Sequence, residues 1–436
     1  MRFGVNYTPS NGWFYSWYDP QWDSIKADFE AIASIGLDHV RIFPFWTILQ
    51  PNRTFINMKA VADLRHMVDL AAAAGLESYV DVLQGHMSSF DHVPPWLVSW
   101  HETSMFADPQ ARSAEALLVR TLYDALADEP RFRGLTLGNE CNQFTDTSHP
   151  RRMAATSDDV TRWISELIDP LEQRAHEEGR VLLHSEDDKV WYVDGHAFLP
   201  QHATNYGDIT SIHSWVFNGT AQRYGAVSEQ STRHAEYLIE LSKAFASDPA
   251  RPVWLQEIGA PENVIEREQA PQFCREAVEH ALECEDLYGI TWWCSHDVAS
   301  SLSDFPPFEH DLGIFDEGGD LKPIGKELQR LIDEVKERER DGVKLGVKRS
   351  TAIIVPVNEE GVPISRAACS PGGSLFDAWM QRSSAGEHPC FVTSMQARDP
   401  QALKNRNISE CVQVATVAGD TYNSLSDPSI DAQSLK

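Results

Sequence analysis

The sequence predicts a (β/α)8 barrel, a TIM barrel, followed by a small C-terminal α+β appendage. Short apolar segments alternate with helical patterns, which is typical of parallel strands joined by helices. Eight such units fit within roughly 340 residues, which is within the usual range for an eight-stranded barrel. The segments that follow the predicted strands are long at units one, three, four and eight. Loops at that face of a barrel carry the active site.

The first half of the predicted barrel contains four strand–helix units. The strands are predicted at Arg2–Tyr7, Leu37–Phe45, Leu76–Leu83 and Phe132–Glu140. The helices that follow them are predicted at Gln21–Ile35, Met58–Ala74, Pro109–Leu126 and Ser157–Glu178. Gly36, Gly75 and Gly179 each stand between a helix and the next strand. That is the position where a left-handed residue commonly ends a helix.

The second half continues the alternation. The strands are predicted at Arg180–Glu186, Asp208–Trp215, Pro252–Gly259 and Gly289–Asp297. The predicted helices are Ser228–Ala246, Pro271–Cys284 and Gly325–Arg340. A doubly wound open sheet is the main alternative, and it would place a glycine-rich phosphate turn after the first strand. The stretch VNYTPSNGW is not such a turn.

The chain beyond Arg340 has a different character. It begins with a charged, glycine-containing linker, and a strand at Thr351–Val357 and a short helix at Ser374–Gln381 follow. We therefore predict two parts, a (β/α)8 barrel at 1–340 and a small α+β or partly disordered extension at 341–436. The extension could cover the barrel, supply part of the pocket or join subunits, so a homo-oligomer formed through it is one expectation.

Charge and composition restrict the partners. The net charge is −28, with 65 acidic residues against 37 basic ones, which excludes nucleic acid and disfavours an anionic membrane. The N-terminus has no secretion signal, and no apolar run has the length of a membrane span. The seven scattered cysteines fit free thiols in a reducing compartment. We expect a cytoplasmic protein that acts on a neutral small molecule.

Two glutamates end predicted strands that are otherwise apolar. GLTLGNE ends in Glu140, and VWLQE ends in Glu257. A carboxylate beside an apolar strand is costly to bury unless it is paired or functional. Strands four and seven can approach each other across the mouth of an eight-stranded ring. Two carboxylates that face each other suit glycoside hydrolysis, and a separation of about 5–5.5 Å gives retention of configuration.

Further side chains at the predicted strand ends face the same mouth. They are Arg41, His86, Asn139, His213, Trp215 and one of the adjacent pair Trp292 and Trp293. Neighbouring residues of a strand point to opposite faces, so one of the two tryptophans should enter the mouth. The long loops also carry aromatic residues that either pack together or line a sugar site: Trp13, Phe14, Trp17, Tyr18, Phe90, Trp96 and Trp100.

The stretch HSEDD, His184–Asp188, places a histidine and carboxylates close together. Such a group could suggest a metal site, but its spacing is not that of a zinc helix motif such as HExxH. We expect a solvated acidic turn here. Accordingly, the sequence predicts no metal and no other cofactor.

The motifs GNE, Gly138–Glu140, and WLQEIG, Trp254–Gly259, resemble those of the clan A glycoside hydrolases, family 5 in particular. The resemblance implies that Glu140 is the acid/base and Glu257 the nucleophile. It also implies sugar-site roles for Asn139, Arg41, His213 and Trp293. In physical terms, a guanidinium near Glu257 should keep that residue ionised, and an apolar setting should raise the pKa of Glu140.

Trp215 departs from the family pattern, which usually has a tyrosine two residues after the strand-six histidine. Indole donates only through its N–H. Either another group supplies the tyrosine's hydrogen bond or the site is shaped for an unusual substrate.

The chain is similar to the intracellular bacterial β-mannosidases of family 5, subfamily 18, in its length, its missing signal and its C-terminal extension. That resemblance implies a retaining exo-β-mannosidase that hydrolyses Manβ1-4GlcNAc derived from N-glycan cores. Long loops at units three and eight would narrow the cleft to a pocket and favour exo action. The alternatives are an endo-β-1,4-mannanase, a β-glucosidase or a β-galactosidase of the same clan, a transglycosylase, and a non-catalytic sugar-binding barrel.

Overall fold

Eight parallel strands form the central sheet. The structure, a computed structural model, describes residues 1–99, 101 and 103–415. In chain order the barrel strands β1–β8 are Phe3–Asn6, His39–Ile42, Glu77–Asp81, Phe132–Thr136, Val181–Leu183, Thr210–Ser214, Val253–Ile258 and Leu287–Trp292. Their order in the sheet is β5-β4-β3-β2-β1-β8-β7-β6, so consecutive strands are neighbours and β1 pairs with β8.

The sheet closes between β5 and β6 through single hydrogen bonds. The backbone N–H of Asp208 donates to the carbonyl of Leu182 at 2.9 Å, and the Ser211 hydroxyl donates to the carbonyl of His184 at 2.9 Å. The predicted (β/α)8 barrel is therefore confirmed, and the open doubly wound sheet is excluded. Each observed strand is shorter than its predicted segment at the C-terminal end, so the polar residues predicted to end several strands lie in loops.

The eight principal helices surround the barrel. In chain order α1–α8 are Trp22–Ser34, Met58–Ala73, Pro109–Leu126, Ser157–Glu177, Pro200–Asn205, His234–Lys243, Ala270–Ala281 and Pro323–Arg340. Shorter helices lie in the loops at Trp46–Leu49, Lys189–Tyr192, Thr220–Tyr224 and Glu229–Thr232. Two details differ from the prediction. The helices between β5 and β6 were not predicted, and the helix predicted at Ser228–Ala246 is interrupted at Arg233.

Side-chain caps and glycines set the helix ends. Asp108 accepts a hydrogen bond from the N–H of Gln110 at the start of α3. Thr156 and Asp159 form a reciprocal capping box at the start of α4, which satisfies backbone donors that the helix leaves open. The glycines predicted to end helices, Gly36, Gly75 and Gly179, have φ of 86°, 91° and 67°.

The C-terminal extension contains a second, smaller sheet. Its strands β9–β11 are Thr351–Val355, Pro389–Thr393 and Glu410–Val412, in the order β10-β9-β11 and all parallel. The helices α9, Ser374–Ser384, and α10, Pro400–Asn405, lie in the two connections. Residues 416–436 of the predicted extension lie outside the described part of the chain.

The extension shares its apolar core with the barrel. The ring of Tyr237, on α6, lies 4.9–5.5 Å from three aromatic rings of the extension, those of Phe376, Trp379 and Phe391. Arg366 is buried, and its guanidinium donates to three carbonyls of the chain between β5 and α5, those of Val190, His196 and Phe198. The extension therefore packs on the barrel side formed by the fifth and sixth units.

Candidate active site

Glu140 lies in the turn after β4, not within the strand. β4 ends at Thr136, and Glu140 begins the 3₁₀ helix Cys141–Thr145 with a left-handed backbone, φ 47°. The glycine of the GNE motif, Gly138, is required by close packing against the end of β3. A Cβ at Gly138 would lie 2.5 Å from the carbonyl oxygen of Leu83, closer than real Cβ atoms approach. A side chain at position 138 would therefore push this turn away from the end of β3.

Glu257 lies on β7 itself. A second glycine, Gly259, allows close packing beside it. A Cβ at Gly259 would lie 2.9 Å from the ring of Trp215 and 2.9 Å from the carbonyl oxygen of Trp293. The absence of a side chain at position 259 lets both tryptophans close on the end of β7. The sequence QEIG thus places a carboxylate and an aromatic wall together.

The two glutamates meet around one imidazole. A carboxylate oxygen of Glu140, a ring nitrogen of His213 and a carboxylate oxygen of Glu257 all lie within 4.8 Å of one another. His213 Nδ1 is 2.7 Å from Oε1 of Glu140 and 3.4 Å from Oε2 of Glu257. All three residues are buried. One oxygen of each carboxylate thus lies nearer to the other than the separation of about 6.5–9.5 Å that is typical of inverting glycosidases.

Arg41, at the centre of β2, binds both sides of the site. Its Nη1 donates to Glu257 Oε1 at 2.7 Å, and its Nη2 donates to Asn139 Oδ1 at 2.7 Å. Asp81, at the end of β3, accepts from Nε at 2.9 Å and from Nη2 at 2.8 Å. This two-pronged pairing fixes the plane of the guanidinium. Asp81 was not among the predicted site residues, because its role depends on the pairing of β3 with β2, which brings it to Arg41.

Trp215 supplies the hydrogen bond expected of the family tyrosine. Its indole Nε1 donates to Glu257 Oε2 at 3.2 Å, so no further group is needed for that role. Trp293 lies beside it, with ring centroids 6.3 Å apart, and also contacts Phe43 at 5.7 Å. Trp293 is the member of the tryptophan pair that reaches this aromatic wall.

His213 is itself positioned from β7. Its Nε2 lies 3.1 Å from Oε1 of Gln256, a residue that was not predicted because its role depends on a partner from the neighbouring strand. Burial lowers the pKa of His213, but the charge of Glu257 and the hydrogen bond to Glu140 raise it, to about 8. At neutral pH the imidazole therefore carries a proton that faces both glutamates.

The pKa values of the two glutamates are shifted in the directions opposite to those predicted. Burial raises the pKa of Glu140, but the hydrogen bond and charge of His213 outweigh burial, so the pKa is lowered. Burial also raises the pKa of Glu257, and the charge of Glu140 adds to this against His213 and Arg41, so the pKa stays above its ordinary value. The prediction was wrong because it considered the apolar surroundings of Glu140 and not the imidazole.

His86 lies on a two-stranded hairpin, His86–Met87 with Phe90–Asp91, in the loop after β3. Its Nδ1 lies 3.0 Å from Asp91 Oδ1, and its carbonyl accepts a hydrogen bond from the Asn139 amide at 3.2 Å. Burial lowers the pKa of His86, but Asp91 outweighs burial and the pKa is raised. The hairpin thus joins the predicted residue His86 to the turn that bears Asn139 and Glu140.

The HSEDD stretch is buried, so the prediction of a solvated acidic turn was wrong. All five residues are buried, and His184 hydrogen-bonds Glu186. Asp187 accepts from the Asn142 amide at 2.5 Å, and Asp188 accepts from the Asn218 amide at 3.2 Å. Burial and the neighbouring acid raise the pKa of Asp188 to about 8. Local composition did not reveal that loops four and six cover this turn.

Three groups of side chains in the described part of the chain have ligand atoms close enough to hold a metal ion. One of them, Glu236, Glu283 and His388, lies away from the mouth, and Arg233 pairs with both of its glutamates. Of the two groups at the mouth, the first is Glu140, His213 and Glu257, and the second is His86, Asp91 and His149. In the first group Arg41 and the protonated His213 already neutralise the carboxylates, and a guanidinium at 2.7 Å would repel a divalent cation. In the second, Asp91 is already paired with both histidines, at 3.0 and 3.4 Å. We assign a metal to neither group.

Loops one, three and eight, the segments that follow β1, β3 and β8, pack together on one side of the mouth. We call this packed side the roof. The ring centroid of Phe305 lies 4.9–5.3 Å from those of the loop residues Trp13, Phe14 and Phe90, and Phe14 and Phe90 lie 5.7 Å apart. A hydrogen bond of 3.0 Å from Ser88 to Glu309 also joins loops three and eight. These predicted loop aromatics pack against one another, and Trp100 lies outside the described residues.

Comparison with known proteins shows the family to which this chain belongs. A crystal structure of a GH5_18 protein from Bifidobacterium longum subsp. infantis matches with a TM-score of 0.93 and 52% sequence identity, covering 98% of this chain and 99% of that chain. The chain belongs to glycoside hydrolase family 5, subfamily 18. The resemblance recognised in its motifs is thereby confirmed, and the protein is a glycoside hydrolase.

Two further relatives from subfamily 18 have structures with a bound sugar. A GH5_18 glutamate-to-alanine variant from Bifidobacterium longum subsp. longum ATCC 55813, in complex with Manβ1-4GlcNAc, has 49% identity and a TM-score of 0.93 over 99% of this chain and 100% of that one. A similar complex from Streptomyces cattleya has 43% identity and a TM-score of 0.89 over 94% of this chain and 98% of that one.

Neither a protein-family model nor a curated protein matches the sequence. Among the described residues, no helix is both long and apolar enough to traverse a bilayer.

Proposed function

We propose that this family 5 enzyme is a retaining exo-β-mannosidase that releases mannose from Manβ1-4GlcNAc, the disaccharide left from N-glycan cores, in the cytoplasm. The observation that carries the proposal is the approach of Glu140 and Glu257 to within 4.8 Å, around His213. The relatives that hold Manβ1-4GlcNAc support the choice of sugar.

In this proposal hydrolysis takes two displacements. Glu257 attacks the anomeric carbon while Glu140 protonates the glycosidic oxygen, so the leaving sugar departs with its hydroxyl. Glu140 then removes a proton from water, and the water oxygen replaces Glu257 at the same carbon. Arg41 and Trp215 hold one oxygen each of Glu257, at 2.7 and 3.2 Å, which aims the carboxylate at its target.

The proton for the first step is held by the pair of Glu140 and His213. The two side chains share one hydrogen bond of 2.7 Å, and interacting groups of this kind titrate as a unit. When Glu257 becomes esterified its negative charge is lost. His213 then loses the charge that most favours its protonated form, so its pKa falls. The pair therefore stays deprotonated after it has given up its proton and is free to act as the base towards water.

The remaining predicted residues receive substrate-binding roles in the same proposal. Asn139, fixed by Arg41 at 2.7 Å, would bind the hydroxyl next to the anomeric carbon. Trp293 would lie under the sugar ring, and His86 would bound the far side of the site. The roof of loops one, three and eight supports exo action, because it limits the length of chain that can lie across the mouth.

Two structural parts of the prediction also remain proposals. The division into a barrel at 1–340 and an extension at 341–436 is one, since the apolar core runs through both. A homo-oligomer formed through the extension is the other, and the mass of the protein in solution tests it by light scattering.

The central experiment follows Manβ1-4GlcNAc by proton NMR. We expect β-mannose as the first product, before it mutarotates, and faster turnover than on aryl β-glucosides, aryl β-galactosides or polymeric mannan. Glu257→Gln should remove turnover. Glu140→Ala should lose activity on the disaccharide but keep part of it on aryl mannosides with good leaving groups, with rescue by azide. First-formed α-mannose, or full activity of Glu257→Gln, would contradict the mechanism.

A further inference from the structure

Glu309 is a buried acid that the mechanism does not use. It lies on the 3₁₀ helix Pro307–Asp311 in the loop after β8, and its neighbours hold that helix in place. Phe308 packs on Phe217 with centroids 5.8 Å apart, and His310 bonds the carbonyl of Val298 at 2.9 Å. Glu309 extends the other way, towards the hairpin of loop three.

The Glu309 carboxyl has fewer partners than its burial demands. It is 6% exposed, yet Ser88 is its only hydrogen-bond partner in the described part of the chain, at 3.0 Å. A carboxyl group can make several hydrogen bonds, and a buried one without them is costly. Burial raises the pKa of Glu309 to about 7, only partly offset by Ser88. Its unused hydrogen-bonding capacity therefore calls for a ligand.

The surroundings of Glu309 connect it to the mouth of the barrel, through the hairpin that bears Ser88. The charges that act on it are those of Glu257, which disfavours its ionised form, and His86, which favours it. Both belong to the mouth of the barrel. Ser88 and its neighbour Ser89 form the tip of the hairpin with φ of 50° and 68°, values that non-glycine residues adopt at a cost. The contact with Glu309 is thus made by a defined turn.

We propose that Glu309 binds a hydroxyl of the sugar whose anomeric carbon faces Glu257, and that this contact selects the terminal sugar at the closed end of the pocket. The inference rests on the proposed function as a glycosidase that acts at a chain end. A sugar hydroxyl donates and accepts hydrogen bonds, and a protonated carboxyl does the same. The two groups therefore complement each other.

The test compares variants across a set of substrates. Glu309→Gln keeps the size of the side chain, Glu309→Ala removes it, and Ser89→Ala is the matched control, an exposed serine beside Ser88. Each protein is assayed on para-nitrophenyl β-mannoside and on its monodeoxy analogues, each lacking one sugar hydroxyl. Circular dichroism and thermal melting verify that every variant is folded.

Glu309→Ala should lower kcat/KM on the parent glycoside about tenfold or more, as expected for one buried hydrogen bond. Glu309→Gln should lower it less, and Ser89→Ala should leave it unchanged. On one deoxy analogue the Glu309→Ala loss should shrink to less than about threefold, because the partner hydroxyl is already absent. Equal losses on the parent and on every analogue, or no loss at all, would overturn the proposal.

The same design separates this inference from the proposed function. The deoxy series can be built on whichever aryl glycoside the wild-type enzyme hydrolyses fastest. If that glycoside is not a mannoside, the substrate assignment fails while the role of Glu309 is still tested. If mannosides are best and the analogues show no selective loss, only the role of Glu309 fails.

Discussion

His213 Nδ1 lies 2.7 Å from Oε1 of Glu140, and this bond makes the two side chains a single proton-holding unit. In the proposed mechanism this pair supplies the proton for the glycosidic oxygen. Its titration, and not that of an isolated carboxyl group, should therefore set the alkaline limit of activity.

The first prediction concerns pH. The pKa of His213 is raised to about 8, so the pair keeps its proton below that pH and loses it above. We expect kcat/KM to fall about tenfold per pH unit on the alkaline side of this value. His213→Asn should move the alkaline limb to lower pH, because Glu140 then holds the proton alone. A limb that stays in place in the variant would contradict the shared proton, and a pH profile of kcat/KM gives the answer.

The second prediction concerns the indole that replaces the family tyrosine. Trp215→Phe removes the donor at 3.2 Å from Glu257 but keeps an aromatic ring. We expect kcat to fall about tenfold, the value of one hydrogen bond to a buried charged group. Trp215→Tyr should recover part of the loss, since phenol restores a donor. Equal activity of the two variants would show that Trp215 acts by shape alone. Steady-state kinetics with melting curves distinguishes the outcomes.

The third prediction concerns Asp81, the residue behind Arg41. Asp81→Asn weakens a fully buried pair with contacts of 2.8 and 2.9 Å. We expect the free energy of unfolding to fall by about 3–5 kcal/mol, as for other broken buried pairs, and kcat/KM to fall at least about tenfold as Arg41 loses its orientation. The control is Asp69→Asn, which breaks a partly exposed pair with Arg65 and should cost less than about 1 kcal/mol. Denaturant titration of both variants makes the comparison.

The fourth prediction concerns the attachment of the extension. Arg366→Ala leaves three buried carbonyls of the barrel without their donor. Burial lowers the pKa of Arg366 to about 10, which still leaves it charged at neutral pH. We expect a loss of about 3 kcal/mol in the free energy of unfolding. Arg382→Ala, which breaks a partly exposed pair with Glu387, should cost less than about 1 kcal/mol. Similar melting of the two variants would mean that the extension is held by its apolar contacts alone.

The sequence could predict the barrel and the two glutamates because both signals are local. Apolar segments and helix-ending glycines repeat along the chain, and each glutamate directly follows such a segment. Asp81 and Gln256 were missed because their roles depend on partners from other strands: Asp81 meets Arg41 across the β2–β3 pairing, and Gln256 meets His213 across β6–β7. The same cause reversed the predicted pKa of Glu140, since no local feature shows that an imidazole 73 positions away would meet it.

The burial of the HSEDD stretch shows a second limit of prediction from sequence. Its composition is that of a surface turn, and only the loops from neighbouring units remove it from water. Glu309 was not predicted for a similar reason, because nothing in PFEHD indicates a contact with Ser88. Side chains contributed by long loops are the part of this site that a single sequence leaves undetermined.

The left-handed backbone of Glu140, φ 47°, bears on how this enzyme could be converted into a catalyst for making glycosides. One such conversion removes the proposed acid, Glu140, keeps the proposed nucleophile, Glu257, and places alanine or glycine at position 140. At this position alanine retains a β-carbon that disfavours the native backbone by about 1 kcal/mol, whereas glycine does not. A Glu140→Gly ligase should therefore outlast its alanine counterpart during long syntheses.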